Sequence, residues 1–266
     1  MSAFGALARL AGFIGSGNPL YDWAREVTRA VGSGGGGGTP FLNMRVDLSV
    51  NSARVEQVYS SSMFMHCQTG GNSPGGFAGG GTGNKSIVGF QVGNGLPLGQ
   101  LHSFSWTWLD LLSYISGFVV YSNLVLDVNG DGSLYKIIVI DSSTQAAHPN
   151  LDTCTVTVNP DGSVTTAWDA TKNIQIVNGI AGVVPVVDDG PIWNQQSYRI
   201  ADILAVYPNA TLRQAFSGDG GLPANTITPA FMLVTGDSGN NVIRAFRITL
   251  VRFNGAIVLC PGPSTC

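Results

Sequence analysis

The sequence predicts a mainly β protein, a β-sandwich preceded by a short N-terminal helical segment, and three observations carry that expectation. Phe104, Trp106 and Trp108 alternate with Ser103, Ser105 and Thr107, which sets three aromatic rings on one face of an extended segment. Phe118 to Val128 and Leu134 to Ile140 are apolar on nearly every residue, the pattern of strands covered on both faces. Between them, Asn129-Gly130-Asp131-Gly132 supplies the positive φ angles of a tight hairpin. Roughly a dozen strand-like segments follow one another at the short spacing of sandwiches and barrels. No fixed-period repeat is present, which excludes propellers and solenoids.

The elements follow in chain order. Residues 3–14 place Phe4, Leu7, Leu10, Ala11 and Ile14 at helical spacing. Asn18-Pro19 reads as an N-cap with proline at the first helical position, opening a second helix over Leu20 to Val31. Leu20, Trp23, Ala24, Val27 and Val31 form its apolar stripe. Residues 1–31 are therefore expected to be a helical attachment segment, with Phe4, Leu7, Leu10, Ile14, Trp23 and Val27 as its assembly contacts. Residues 32–40 contain five consecutive glycines, Gly34–Gly38, and form a flexible linker. Such a tether allows the helices to dock away from the body; packing on the sandwich edge is the alternative.

The sandwich itself is expected over residues 41–257, with a tail at 258–266. Phe41 to Val50 alternates as a half-buried strand, and Val55 to Met65 is its neighbour. Residues 70–83 are glycine-rich, low-complexity loop. Ile87 to Val92 resumes the sheet. Beyond the central stretch, Thr153 to Val158 and Val164 to Trp168 flank the turn Asn159-Pro160-Asp161-Gly162. Ile174 to Val177 and Val183 to Val187 are short strands around Asn178-Gly179. Arg199 to Tyr207 is an internal helix, with Ile200, Ile203, Leu204 and Tyr207 on one face and Pro208 ending it. Leu212 to Phe216, Phe231 to Val234 and Val242 to Phe253 complete the strands; Arg244 and Arg252 in the last fit an exposed face or a subunit contact.

Composition narrows the function classes. Of the 266 residues, 44% are hydrophobic, ample for a core, but only 11% are charged. The surface must then be covered by Ser, Thr, Asn, Gln and Gly, which favours secreted, virion or densely assembled proteins. A net charge of −3 with 13 basic residues argues against nucleic acid as a partner. The N-terminus does not read as a secretory signal, because Arg9 and Gly15–Pro19 interrupt its apolar run. No run is long enough to span a bilayer. Cys67, Cys154, Cys260 and Cys266 lack zinc-site spacing; Cys260 and Cys266 bracket a loop that a disulfide could close in an oxidising setting.

Several segments resemble a known family. Leu98 to Trp106 opens a strand after Gly99, Asp127–Gly132 forms a DxNGDG hairpin, and Asp202 to Ala210 leads into Gly218-Asp219-Gly220-Gly221. This order is similar to the jelly-roll modules attached to bacterial secreted and surface proteins, relatives of carbohydrate-binding sandwiches, over about residues 85–255. The resemblance implies a jelly-roll body and a glycan as ligand. The helical segment and the missing signal depart from that family.

Candidate chemistry is sparse. Asp127, Asn129 and Asp131 alternate as in the first half of a calcium loop, but an EF-hand needs Glu where Ile138 stands. A plain Asx-rich turn explains the same residues, so calcium is the one cofactor candidate and none is required. Asp188, Asp189 and Asp219 are loop acids that a glycosidase would need at a fixed separation. His66, His102 and His148 lack Ser or Cys partners in an elbow motif, and the glycine runs are followed by no GK[ST]. Trp106 and Trp108 read as core, whereas Trp168 and Trp193 adjoin polar turns and are the candidates for stacking on a sugar. Asn84 and Asn209 occupy glycosylation sequons.

These features favour a non-enzymatic structural subunit of an extracellular or viral assembly, of capsid, capsid-decoration or spike type, whose partners are copies of itself or other assembly proteins. A glycan-binding module is the alternative, and a polysaccharide-cleaving enzyme the third reading.

Overall fold

The computed structural model describes residues 43–46, 54–59, 62–68, 86–90, 92–110, 119–188, 196–214, 230–235 and 243–259. Its first eight strands are β1 (Asn43–Val46), β2 (Arg54–Tyr59), β3 (Ser62–Gln68), β4 (Ser86–Phe90), β5 (Leu96–Pro97), β6 (Ser103–Asp110), β7 (Tyr121–Asp127) and β8 (Tyr135–Ile140). Helix α1 (Ser142–Ala147) precedes β9 (Thr155–Val158), β10 (Val164–Asp169), β11 (Ile174–Val177), β12 (Val187–Asp188) and β13 (Gln196–Tyr198). After helix α2 (Ile200–Val206) come β14 (Thr211–Leu212), β15 (Phe231–Thr235), β16 (Ile243–Phe253) and β17 (Ala256–Leu259). The chain is mainly β, as its alternating and doubly apolar runs predict.

The strands form two antiparallel sheets. One runs β1-β4-β15-β7-β8-β11-β13-β12, with β14 and β5 attached beside β7; the other runs β2-β3-β16-β6-β10-β9, with β17 on β16. Eight strands taken in chain order, β3, β4, β6, β7, β8, β10, β15 and β16, interleave between the sheets. One sheet holds the first, eighth, third and sixth as neighbours, and the other the second, seventh, fourth and fifth. That interleaving is the jelly roll.

The sheets face each other across an aromatic core. Phe104 stacks on Trp168 within its own sheet, ring centroids 5.2 Å apart, and meets Phe231 of the facing sheet at 5.6 Å. Phe253 reaches the same Phe231 at 5.3 Å, and Phe90 reaches it at 5.4 Å. Rings of this size dominate core energetics when buried. Trp106 is fully buried and its Nε1 donates to Val120 O at 2.8 Å, so its one polar atom is satisfied. The alternation that placed Phe104, Trp106 and Trp108 on one face is therefore a core signal.

The doubly apolar run of β7 has a matching cause. Leu124 and Leu126 face the aromatic core, whereas Val125 joins Ile137, Met232 and Val234 in a second cluster on the opposite face of the same sheet. The registers Val125↔Ile137 and Val234↔Tyr121 place these residues side by side.

Several boundaries differ from the sequence reading. Helix α1 was not foreseen; Asp141 caps it, its Oδ1 accepting from Ser143 N at 2.8 Å and Thr144 N at 3.4 Å. The strand expected from Val183 is confined to Val187–Asp188. The sheet continues past residue 257, because Asn254 and Gly255, both at positive φ, turn the chain into β17, which pairs with β16. The Asn254 side chain holds that turn down, accepting from His102 N at 2.8 Å and donating to Gln100 O at 2.8 Å. Helix α2 agrees with expectation: Ile203 is buried, and Ile200, Leu204 and Tyr207 pack against the core.

Candidate functional site

The hairpin between β7 and β8 is built on Asp127. Its carboxylate, fully buried, accepts from Gly130 N at 3.0 Å, Gly132 N at 2.8 Å and Arg213 at 2.9 Å. The Asn129 amide donates to Ser133 Oγ at 2.8 Å, and Asp131 Oδ1 accepts from Ser133 N at 2.9 Å. Hydrogen bonds from Ser133 lower the Asp131 pKa. All three candidate calcium ligands take part in the hydrogen bonds that fold the loop, and both oxygens of Asp127 accept from protein donors. The arrangement is an Asx-rich turn clamped by Arg213, a partner 86 positions away that no local pattern marks.

Gly130 fixes this loop against its neighbour. It sits at φ +76°, and an added Cβ would lie 2.1 Å from Asn209 O. Gly130→Ala is expected to cost about 2–5 kcal/mol, from left-handed strain plus overpacking against backbone. A thermal melt should show this as a drop of about 4–20 °C. A melting temperature unchanged to within about 2 °C would contradict the close approach.

Trp168 corrects the sugar-stacking expectation. It is 1% exposed, stacked on Phe104, and its Nε1 donates to Asn173 O at 3.0 Å. Neither ring face nor the polar edge is open to a ligand. The adjoining polar turn, Asp169-Ala170-Thr171, misled because it begins one residue beyond the buried ring. Trp193, Asp189 and Asp219 lie outside the described residues, as do Cys260, Cys266 and the assembly residues Phe4, Leu7, Leu10, Ile14, Trp23 and Val27. Asp188 is exposed at the end of β12 and accepts from Gln196 at 3.4 Å. Cys154 is a buried free thiol whose pKa burial pushes up to about 12, which keeps it protonated and unreactive near neutral pH.

What the structure does expose is an edge. Strand β9 is the last strand of its sheet and pairs, among the described residues, only with β10. All four residues, Thr155-Val156-Thr157-Val158, are exposed. The register Val158↔Val164 and Val156↔Thr166 places both valines on the face that carries Trp168, the core side of the sheet. Yet Val156 is 46% and Val158 72% exposed, so the core face overhangs the facing sheet here. On the other face, Thr157 aligns with Thr165 and Thr165 with Thr107, whose hydroxyls lie 2.9 Å apart. The strand contains no charge, proline or glycine, the usual devices that protect an edge.

Strand character was legible at Thr153 to Val158, but edge position was not, because alternation says nothing about which neighbours a strand finds. The useful signal is the four-residue β-branched run without a charge.

No protein-family model matches this chain, and no curated protein sequence matches it. Among the described residues, no helix is long and apolar enough to cross a membrane.

Proposed function

We propose that the chain is a non-enzymatic structural subunit of an extracellular or viral assembly, of capsid, capsid-decoration or spike type. The observation that carries this reading is strand β9 at one end of the seven-stranded sheet, β-branched, uncharged and, among the described residues, paired only with β10. A protein that stays apart from its own copies normally blunts such an edge. The low charge of the whole chain, 11%, supports the same reading, since little repulsion opposes close contact between copies. In this account the N-terminal helices attach the subunit and the Gly34–Gly38 tether gives them reach.

Glycan binding loses Trp168 to the core and rests on Trp193 alone. The structural reading is tested by negative-stain electron microscopy of the intact chain purified without denaturant. Regular shells or arrays are expected; a field of isolated particles of single-chain size counts against it.

A further inference from the structure

Resting on that reading, we propose that the outer edge of β9 pairs with the same edge of a second copy, antiparallel about a two-fold axis, joining two seven-stranded sheets into one. Asn159 N donates to Ser163 O, so by alternation the backbone groups of Val156 and Val158 point away from β10, and the register that pairs these two in both directions sets Thr157 opposite Thr157 of the second copy. Directly opposite residues in an antiparallel pair share a face. This register therefore continues both existing rows: threonine meets threonine beyond Thr107 and Thr165, and valine meets valine beyond Val164 and Thr166. Shifting one copy by a single residue would oppose threonine to valine and break both rows.

The paired segment is neutral, so no like charges meet across it.

Size sets the strength of the contact. Four residues span about 14 Å at ~3.4 Å per residue. A seam of that length and one strand wide buries far less than the ~1,200–2,000 Å² of a stable isolated dimer. The pairing is thus a weak contact that becomes effective when other contacts, such as the N-terminal attachment, hold many copies together. A second copy is the occupant the edge fits best, because the edge complements itself in backbone hydrogen bonding and side-chain rows, and the neutral segment sets no like charges against each other.

The test is disulfide trapping on the full chain. Opposed residues in antiparallel strands have Cα atoms ~4.5–5.5 Å apart, within disulfide range. Thr157→Cys is expected to form a covalent homodimer at least about 10-fold faster under mild oxidation than Val206→Cys, an exposed valine outside the edge, with the unsubstituted chain giving the background of its own cysteines. Adding Val158→Lys to Thr157→Cys should return the rate to background, because a lysine on an edge opposes pairing. Trapping of Thr157→Cys no faster than Val206→Cys overturns the proposal. Equal trapping at Thr155→Cys and Thr157→Cys overturns the register, and with it the two-fold pairing. Particles in electron micrographs without trapping sink this inference alone. Trapping at high concentration in a chain that never assembles sinks the proposed function instead.

Discussion

Trp168→Ala is expected to destabilise the protein by about 3–5 kcal/mol, the range for removing a large aromatic ring from a core that cannot collapse around the loss. Trp168 is 1% exposed and stacks on Phe104, which in turn touches Phe231 of the facing sheet. Deleting the indole removes the filler between β10 and the aromatic cluster and leaves Asn173 O, a buried acceptor, without its donor. For a body of this size the melting temperature should fall by about 6–20 °C. Trp168→Phe should lose less, since a ring remains to stack. A Trp168→Ala protein that melts like the parent while losing affinity for a sugar would overturn the core assignment and restore the stacking role.

Deletion of residues 1–38 is expected to leave a folded, soluble β body that melts cooperatively but no longer assembles. The aromatic core is closed by strands β4 to β17. In the sequence, Phe4, Leu7, Leu10, Ile14, Leu20, Trp23, Val27 and Val31 recur at helical spacing and precede the Gly34–Gly38 run that leads into that body. A glycine-rich chain reaches ~5–6 Å times the square root of its length, enough to seat the helices on a neighbouring copy. Burying the stripe contributes ~25 cal/mol per Å² of apolar surface, multiplied over every copy in an assembly. Circular dichroism melts and light scattering check both halves of the expectation. Unfolding of the truncated chain would place the helices in the core. Normal assembly would show that they are not the attachment device.

Much of the body was legible because its signals are local. The rings at Phe104, Trp106 and Trp108 could share a face only in a strand, and the doubly apolar β7 required cover on both sides. The Asn129–Gly132 turn announced the β7–β8 hairpin through its glycines. Asn254-Gly255 carried the same kind of signal for β17, and its hairpin lay just where the sandwich was expected to end. Asp141 followed by Ser142-Ser143-Thr144 announced the cap of α1, though six residues gave too short a period to mark a helix.

What stayed hidden depends on long-range partners. The Asp127 clamp needs Arg213, and the Asn254 brace needs Gln100 and His102, more than 150 residues away. Trp168 illustrates the cost of reading a residue by its sequence neighbours: the next residue, Asp169, begins a polar turn, while the ring itself points inward against Phe104. The free edge at β9 was legible as a strand and silent as an edge, since the interleaving of eight strands decides which strand ends a sheet.

Assembly of this jelly roll is read from the solution mass of the intact chain, measured by multi-angle light scattering across a dilution series. A species of many copies at a fixed multiple of the chain mass is expected, persisting until dilution releases single chains. A single-chain mass at every concentration would contradict it.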